Sequence, residues 1–287
     1  MPVLQTPLKR LPRRRRSPLP GLGLTLGVTV TFVTLIVLLP LLGLGWQLGQ
    51  LGWSDYIFVM TDSRTLAALR ITLTAAAAAT VANGLFGLLL AWVLVRYRFP
   101  GRAALDALVD LPFALPTAVA GIALVSLYSQ NGWIGALTAP FGFEIAYSWA
   151  GIVIAMIFTS VPFAVRAIQP LIEELDPAEE AAALTLGASR WQIFRAVTLP
   201  QLMPGILTGT GLSFVRSLGE FGAVIFIAGN IPFETEIASL LIMIRLDEFD
   251  YPAAAAIAGT MLALSLILLV AINIAQTRLY RRFETGA

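Results

Sequence analysis

Six blocks of about twenty mainly apolar residues recur along this chain, at 22–44, 71–95, 108–128, 149–168, 204–228 and 254–275. A helix needs about 20 such residues to cross a hydrocarbon core about 30 Å thick. The strands of a membrane barrel would be shorter and would alternate apolar with polar. These blocks do neither, so the expected fold is an all-α polytopic membrane protein with six transmembrane helices. Pro112, Pro116 and Pro162 fall in or near the blocks, where kinks are tolerated. Composition agrees: 13% of the 287 residues are charged and 57% hydrophobic, where a soluble domain carries about 25% charged residues.

Histidine and cysteine are absent. This excludes a disulfide framework, a Cys or His metal site, a thiol nucleophile and a His general base. No catalytic residue and no metal site are expected. The sole lysine is Lys9, so the chain has no Gly-Lys-Ser/Thr phosphate loop. If its work needs ATP, another subunit must supply it, and no cofactor is expected in this chain.

Arg13, Arg14, Arg15 and Arg16 precede the first block, as in a signal peptide or a twin-arginine leader. The apolar run is longer than a leader's core, and no small-residue cleavage site follows, so a retained helix is expected. Basic residues set the orientation. Lys9, Arg10 and the four arginines lie in the N-terminal tail. Arg96, Arg98 and Arg102 follow the second block, Arg166 at the end of the fourth is taken with Arg190 and Arg195 of the loop after it, and Arg278, Arg281 and Arg282 follow the sixth. These positions fall on one side of the membrane, which predicts both termini in the cytoplasm. The tail at 8–16 fits topology anchoring and lipid contact better than nucleic-acid binding.

The segment 173–200, between the fourth and fifth blocks, parses into two short helices. Asp176 suits an N-cap, Pro177 the first helical position and Glu179 the third. Gly187 suits the position that ends this helix. Ser189 and Gln192 then cap a second helix, which Pro200 is expected to close. The pair presents small alanines, Ala182 among them, as a helix docking in a partner's groove would. A helix lying on the bilayer is the alternative, but it would carry Lys or Arg on its polar face. This one carries Glu173, Glu174, Asp176, Glu179 and Glu180.

This segment resembles the Glu-Ala-Ala loop of ABC importer permeases. Gly187, Val197, Leu199 and Pro200 fall where that pattern has its glycine, aliphatic and Leu-Pro. The pattern places its acid at Ala181, whereas the nearest acid is Glu180, about 100° away around a helix. The resemblance implies that Glu179, Glu180, Ala182, Gly187, Leu199 and Pro200 couple the chain to an ATPase subunit.

Arg216 and Glu220 lie in the fifth block, four apart and so on one helical face. Ionisable groups in a membrane usually face a bundle interior or a wet path. Arg216, Ser217 and Glu220 are therefore candidates for an anion pathway, with a structural ion pair as the alternative. The stretch Arg216-Ser-Leu-Gly-Glu-Phe-Gly-Ala is similar to importers of sulfate and molybdate. Its continuation through Arg245-Leu-Asp-Glu-Phe-Asp-Tyr-Pro is similar to the T-type permeases of sulfate/thiosulfate importers. The resemblance implies a type I ABC importer permease in the bacterial inner membrane. It also implies a W-type second permease, two ATP-binding subunits that hold ATP and Mg, and a periplasmic sulfate-binding protein. The mechanism implied is alternating access, with the docking segment moving as a lever.

On this basis 1–20 is a cytoplasmic basic tail, and 21–64 holds the first helix and a periplasmic loop. Residues 65–275 are the permease core, and 276–287 a cytoplasmic tail. Molybdate or tungstate is the nearest alternative substrate, and a gradient-driven secondary transporter the alternative mechanism. Three smaller expectations complete the picture. The five alanines at 75–79 pack helices closely. Asp106 and Asp110 suit a helix N-terminus. Arg245, in an acidic periplasmic loop at 234–251, pairs locally, and the loop is either simply solvated or a contact for the binding protein.

Overall fold

A computed structural model describes residues 22–284, with side chains to residue 278. The expectations for the basic tail at 1–20 and for the last three residues lie outside the described residues. Contacts divide the chain into two units, up to Trp46 and from Gln47 onward. The first unit contains most of helix α1 (Leu22–Gln50), which has a π turn at Thr34–Leu38 and buries none of its residues.

The second unit is built of helices joined by turns and loops, with no strand among its described residues. Helix α2 (Trp53–Thr61) leads into α3 (Ser63–Arg96), and α4 (Arg102–Ala114) into α5 (Thr117–Tyr128). Helix α6 is Trp149–Glu173, and α7 is Pro177–Thr185. Helix α8 covers 190–218: the turn Arg190–Ile193, a π turn at Phe194–Thr198, and Leu199–Leu218. Short α9 (Val224–Ile227), α10 (Ala238–Asp247) and α11 (Tyr251–Glu284) complete the chain. Among the described residues, α1, α3, α6 and the stretch 251–278 are each long and apolar enough to cross a membrane.

The third and fifth expected spans require correction. The block 108–128 is a bent pair, α4 and α5, meeting at 116°. Pro116 has no N–H, and Leu115 before it is extended at φ −85°, ψ 134°, as a residue before proline prefers. The fifth span is shorter than 204–228, because α8 stops at Leu218 and the chain turns through Gly219 before α9. Leu199–Leu218 is also too polar to count as an apolar span. It is sheltered by α3, α6 and α11.

Small residues let these helices approach. Ala75, Ala76 and Ala79 of α3 are fully buried, as the alanine run predicts. A Cβ on Gly209 of α8 would lie 2.8 Å from the Cα of Ala164 in α6, so only glycine fits there. Around these contacts Ile152, Met156, Leu218, Ile227, Ile237, Leu241 and Ile257 form one apolar core.

Candidate functional site

The segment 173–200 follows local rules closely. The Asp176 side chain accepts a hydrogen bond from Ala178 N at 2.9 Å, and Pro177 opens α7. Gly187 is left-handed at φ +84°. The N–H of Ala188 reaches Ala183 O at 3.1 Å and that of Gly187 reaches Leu184 O at 3.0 Å. These two bonds satisfy carbonyls that the helix end leaves free. Ser189 and Gln192 then cap each other: Gln192 N donates to Ser189 Oγ at 3.4 Å and Ser189 N to Gln192 Oε1 at 2.7 Å.

Pro200 does not close the second helix. The π turn puts the Leu199 N–H on Phe194 O, five residues back, and the helix continues to Leu218. This wider turn accommodates a residue that has no N–H to give Ala196. The turn Arg190–Ile193 and the helix Leu199–Leu218 are therefore one continuous element.

Both acids of α7 point back to the bundle. Glu180 forms an ion pair with Arg96 at the end of α3, and that guanidinium sits 5.0 Å from the Trp92 ring centre. Glu179 Oε2 accepts from Gln201 Nε2 at 2.6 Å, so it does not close a capping box with Asp176. On the outside, Leu186 is 88% exposed, and Leu184 and Trp191 are exposed beside it. A shallow hollow of about 490 Å³ lies between Ala183, Leu186, Gly187, Ala188, Ala196 and Val197. Ala182 is exposed on the same helix.

Arg216 and Glu220 do meet, with Arg216 Nη1 2.7 Å from Glu220 Oε2. The geometry behind the contact differs from the expected shared helical face, because Glu220 lies beyond the end of α8. Glu220 is buried, and its Oε1 accepts from Ala223 N at 3.0 Å, so it braces the turn that breaks the helix. The Arg216 side chain is 32% exposed. Ser217 faces the other way and is buried 3.1 Å from Ser160.

Three polar clusters went unseen in the sequence. Asn83 Nδ2 donates to Ser160 Oγ and to Ser213 Oγ, both at 2.8 Å, joining α3, α6 and α8. A lone asparagine in an apolar block was the available signal. Arg64 grips the buried Glu236 with two bonds, Nε to Oε2 at 2.8 Å and Nη2 to Oε1 at 2.7 Å. Arg166 lies inside α6 rather than in a loop. It holds Asp110 through Nε and Nη2, and Asp106 and Gln169 through Nη1. Asp106 and Asp110 thus serve an arginine rather than a helix N-terminus. Arg245 pairs locally with Glu248 at 3.1 Å, as expected.

Residues 83–285 match the family described as binding-protein-dependent transport system inner membrane component. The chain belongs to this family. A gradient-driven secondary transporter is thereby set aside, and the chain is a multi-pass inner-membrane permease. The sulfate transport system permease protein CysT of Escherichia coli K12 is 58% identical over 93% of this chain and 96% of its own. That of Salmonella typhimurium is equally similar, and that of Synechocystis is 47% identical over 87% of each chain. Among solved structures, a bacterial alginate ABC transporter in complex with an alginate-bound periplasmic protein aligns with TM-score 0.74. It covers 90% of this chain and 94% of that one at 21% identity, a likeness of fold. Permeases of this family work with a binding protein and an ATPase.

Proposed function

We propose that this chain is the T-type transmembrane subunit of an ATP-driven sulfate/thiosulfate importer. The observation that carries this reading is the 58% identity with two sulfate permeases across nearly the whole chain. Its partners are a W-type second permease, two ATP-binding subunits and a periplasmic sulfate-binding protein. ATP and Mg sit on the ATP-binding subunits, and this chain contributes no cofactor. Both termini face the cytoplasm, the side on which most basic residues cluster.

Coupling runs through residues 173–200. Exposed Leu184, Leu186 and Trp191 dock on the ATPase, and Glu179 and Glu180 tie the docking helix to the bundle. Because α8 is continuous past Pro200, movement at its docking end reaches Leu218 without a hinge loop between. Closure of the ATPase dimer opens the path outward, and hydrolysis resets the inward state.

Arg216 contributes to the anion pathway. It lies about 25 Å along the helix from Leu199, close to the far edge of a hydrocarbon core. Irregular backbone of the kind that follows Leu218 is tolerated at membrane depth where protein buries it or a wet cavity runs beside it. One guanidinium nitrogen faces Glu220, and the others remain for an oxyanion arriving at the outer mouth. A contact half-neutralised in this way attracts an anion without holding it.

The reading is tested by labelled-sulfate uptake in bacteria lacking their own permease and supplied with this chain and its partner subunits. Rescue that thiosulfate blocks and molybdate does not is expected. Competition by molybdate or tungstate instead would reassign the substrate.

A further inference from the structure

The last third of α3 borders an apolar groove of about 720 Å³. Leu85, Leu89 and Val93 recur at four-residue spacing along it, Trp92 and Phe194 wall it, and Arg98 lines one end. Leu85 and Leu89 are exposed, so the groove opens on the protein's outer surface. Arg98 is exposed too, and has no ion-pair partner among the described residues, whereas Arg96 two residues earlier is taken by Glu180. The site is therefore apolar over about 12 Å of helix and ends in an unneutralised guanidinium.

We propose that this groove binds one anionic phospholipid, with its phosphate on Arg98 and an acyl chain along Leu85 and Leu89. The charge pattern decides the occupant. A guanidinium fork matches phosphate oxygens, and the net negative charge of the lipid offsets a cation that the chain leaves unpaired. Arg98 also sits on the basic side of the molecule, which faces the anionic cytoplasmic leaflet. A helix of the second permease is the competing occupant, but it would have to bring its own acid to Arg98.

The groove shares its wall with the coupling segment. Trp92 and Phe194 meet edge to face at 5.8 Å, and on their other side they line a hollow with Glu180, Leu184 and Arg190. A bound lipid would brace this aromatic pair from the membrane side. That link to coupling rests on the role proposed above for residues 173–200, whereas lipid binding does not.

The test uses the complete importer, reconstituted in nanodiscs of equal phosphatidylglycerol and phosphatidylcholine and then weighed with its retained lipids by native mass spectrometry. Wild type is expected to keep phosphatidylglycerol in preference to phosphatidylcholine. Arg98→Gln should lower that retention about five-fold, and Arg98→Lys should restore part of it. Leu89→Trp should lower retention by filling the groove, and Arg102→Gln, outside the groove, should leave it unchanged. Equal retention of both lipids, no effect of Arg98→Gln, or a photo-crosslinker at position 89 that captures the second permease would each overturn the proposal. If Arg98→Gln loses its lipid but keeps its sulfate uptake per ATP, the link to coupling is overturned while lipid binding stands.

Discussion

Arg96, in the last turn of α3, is paired with Glu180, in the first turn of α7, 84 residues further along the chain. This pair gives the acid one position early a partner of its own. Glu180 answers to Arg96, whose place is fixed by the Trp92 ring beneath it, and not to a fixed distance from Gly187. Exchanging the charges, Arg96→Glu with Glu180→Arg, is expected to recover part of the stability lost by either change alone. Both side chains are about a quarter to a third exposed, so the coupling energy should be modest, about 0.5–1 kcal/mol. A double-mutant cycle on thermal unfolding of the complex measures it, and purely additive losses would disprove the pairing.

Gly187→Val forces a branched side chain into left-handed backbone at φ +84°. The local cost is about 2 kcal/mol, and the two bonds that turn the chain toward Ser189 should loosen. The variant is expected to insert normally, and the importer built with it to hydrolyse ATP while sulfate uptake falls. Gly187→Asn should do less harm. Normal uptake by the valine variant would refute the role of this turn.

Removing Arg64 leaves the Glu236 carboxylate buried without its partner. The expected destabilisation is about 3 kcal/mol, because Glu236 is 1% exposed. Arg64→Met combined with Glu236→Leu should be milder than Arg64→Met alone, since no uncompensated charge then remains. Protease resistance of the purified subunit ranks the variants.

Asn83→Ala deletes two hydrogen bonds among α3, α6 and α8. Bonds of this kind between membrane helices are worth about 0.6–2 kcal/mol, so a fall of about that size in unfolding free energy is expected. Ser217→Ala, which touches only the edge of the cluster, should cost less. Unfolding in mixed detergent gives both values.

Arg216→Ala should reduce sulfate uptake about ten-fold, the effect of one lost charged hydrogen bond. Assembly should weaken as well, because Glu220, 1% exposed, loses its ion-pair partner and keeps only the bond from Ala223 N. The rate per assembled complex decides the matter: an unchanged rate with poor assembly would make Arg216 a packing residue only.

Features set by neighbours in the chain were legible in advance. Asp176, Pro177, Gly187 and the Ser189–Gln192 pair obey capping rules that act within a turn, and the structure repeats them. Features set across the fold were not. Arg166 reads as a loop residue because nothing local reveals that Asp106 and Asp110, about sixty residues away, neutralise it within α6. Pro200 ordinarily ends a helix, and only the register shift at Phe194–Thr198 lets this one continue. The bend at Pro116 was half visible: its proline marks the place, but the 116° angle, which leaves α5 packed against α9, has no local sign.

The Asn83 cluster has a consequence for how this bundle can move. Glycines and alanines make the facing surfaces of α3, α6 and α8 smooth, and a smooth surface tolerates a slip of one turn, about 5.4 Å, almost as well as the native alignment. A single amide gripping two serines removes that degeneracy, since any slip would strand its N–H groups in an apolar interior. Buried asparagines fix register in coiled coils by the same means. The cluster thus ties α3, α6 and α8 into one register, and sliding any one of them past the other two would first have to break it.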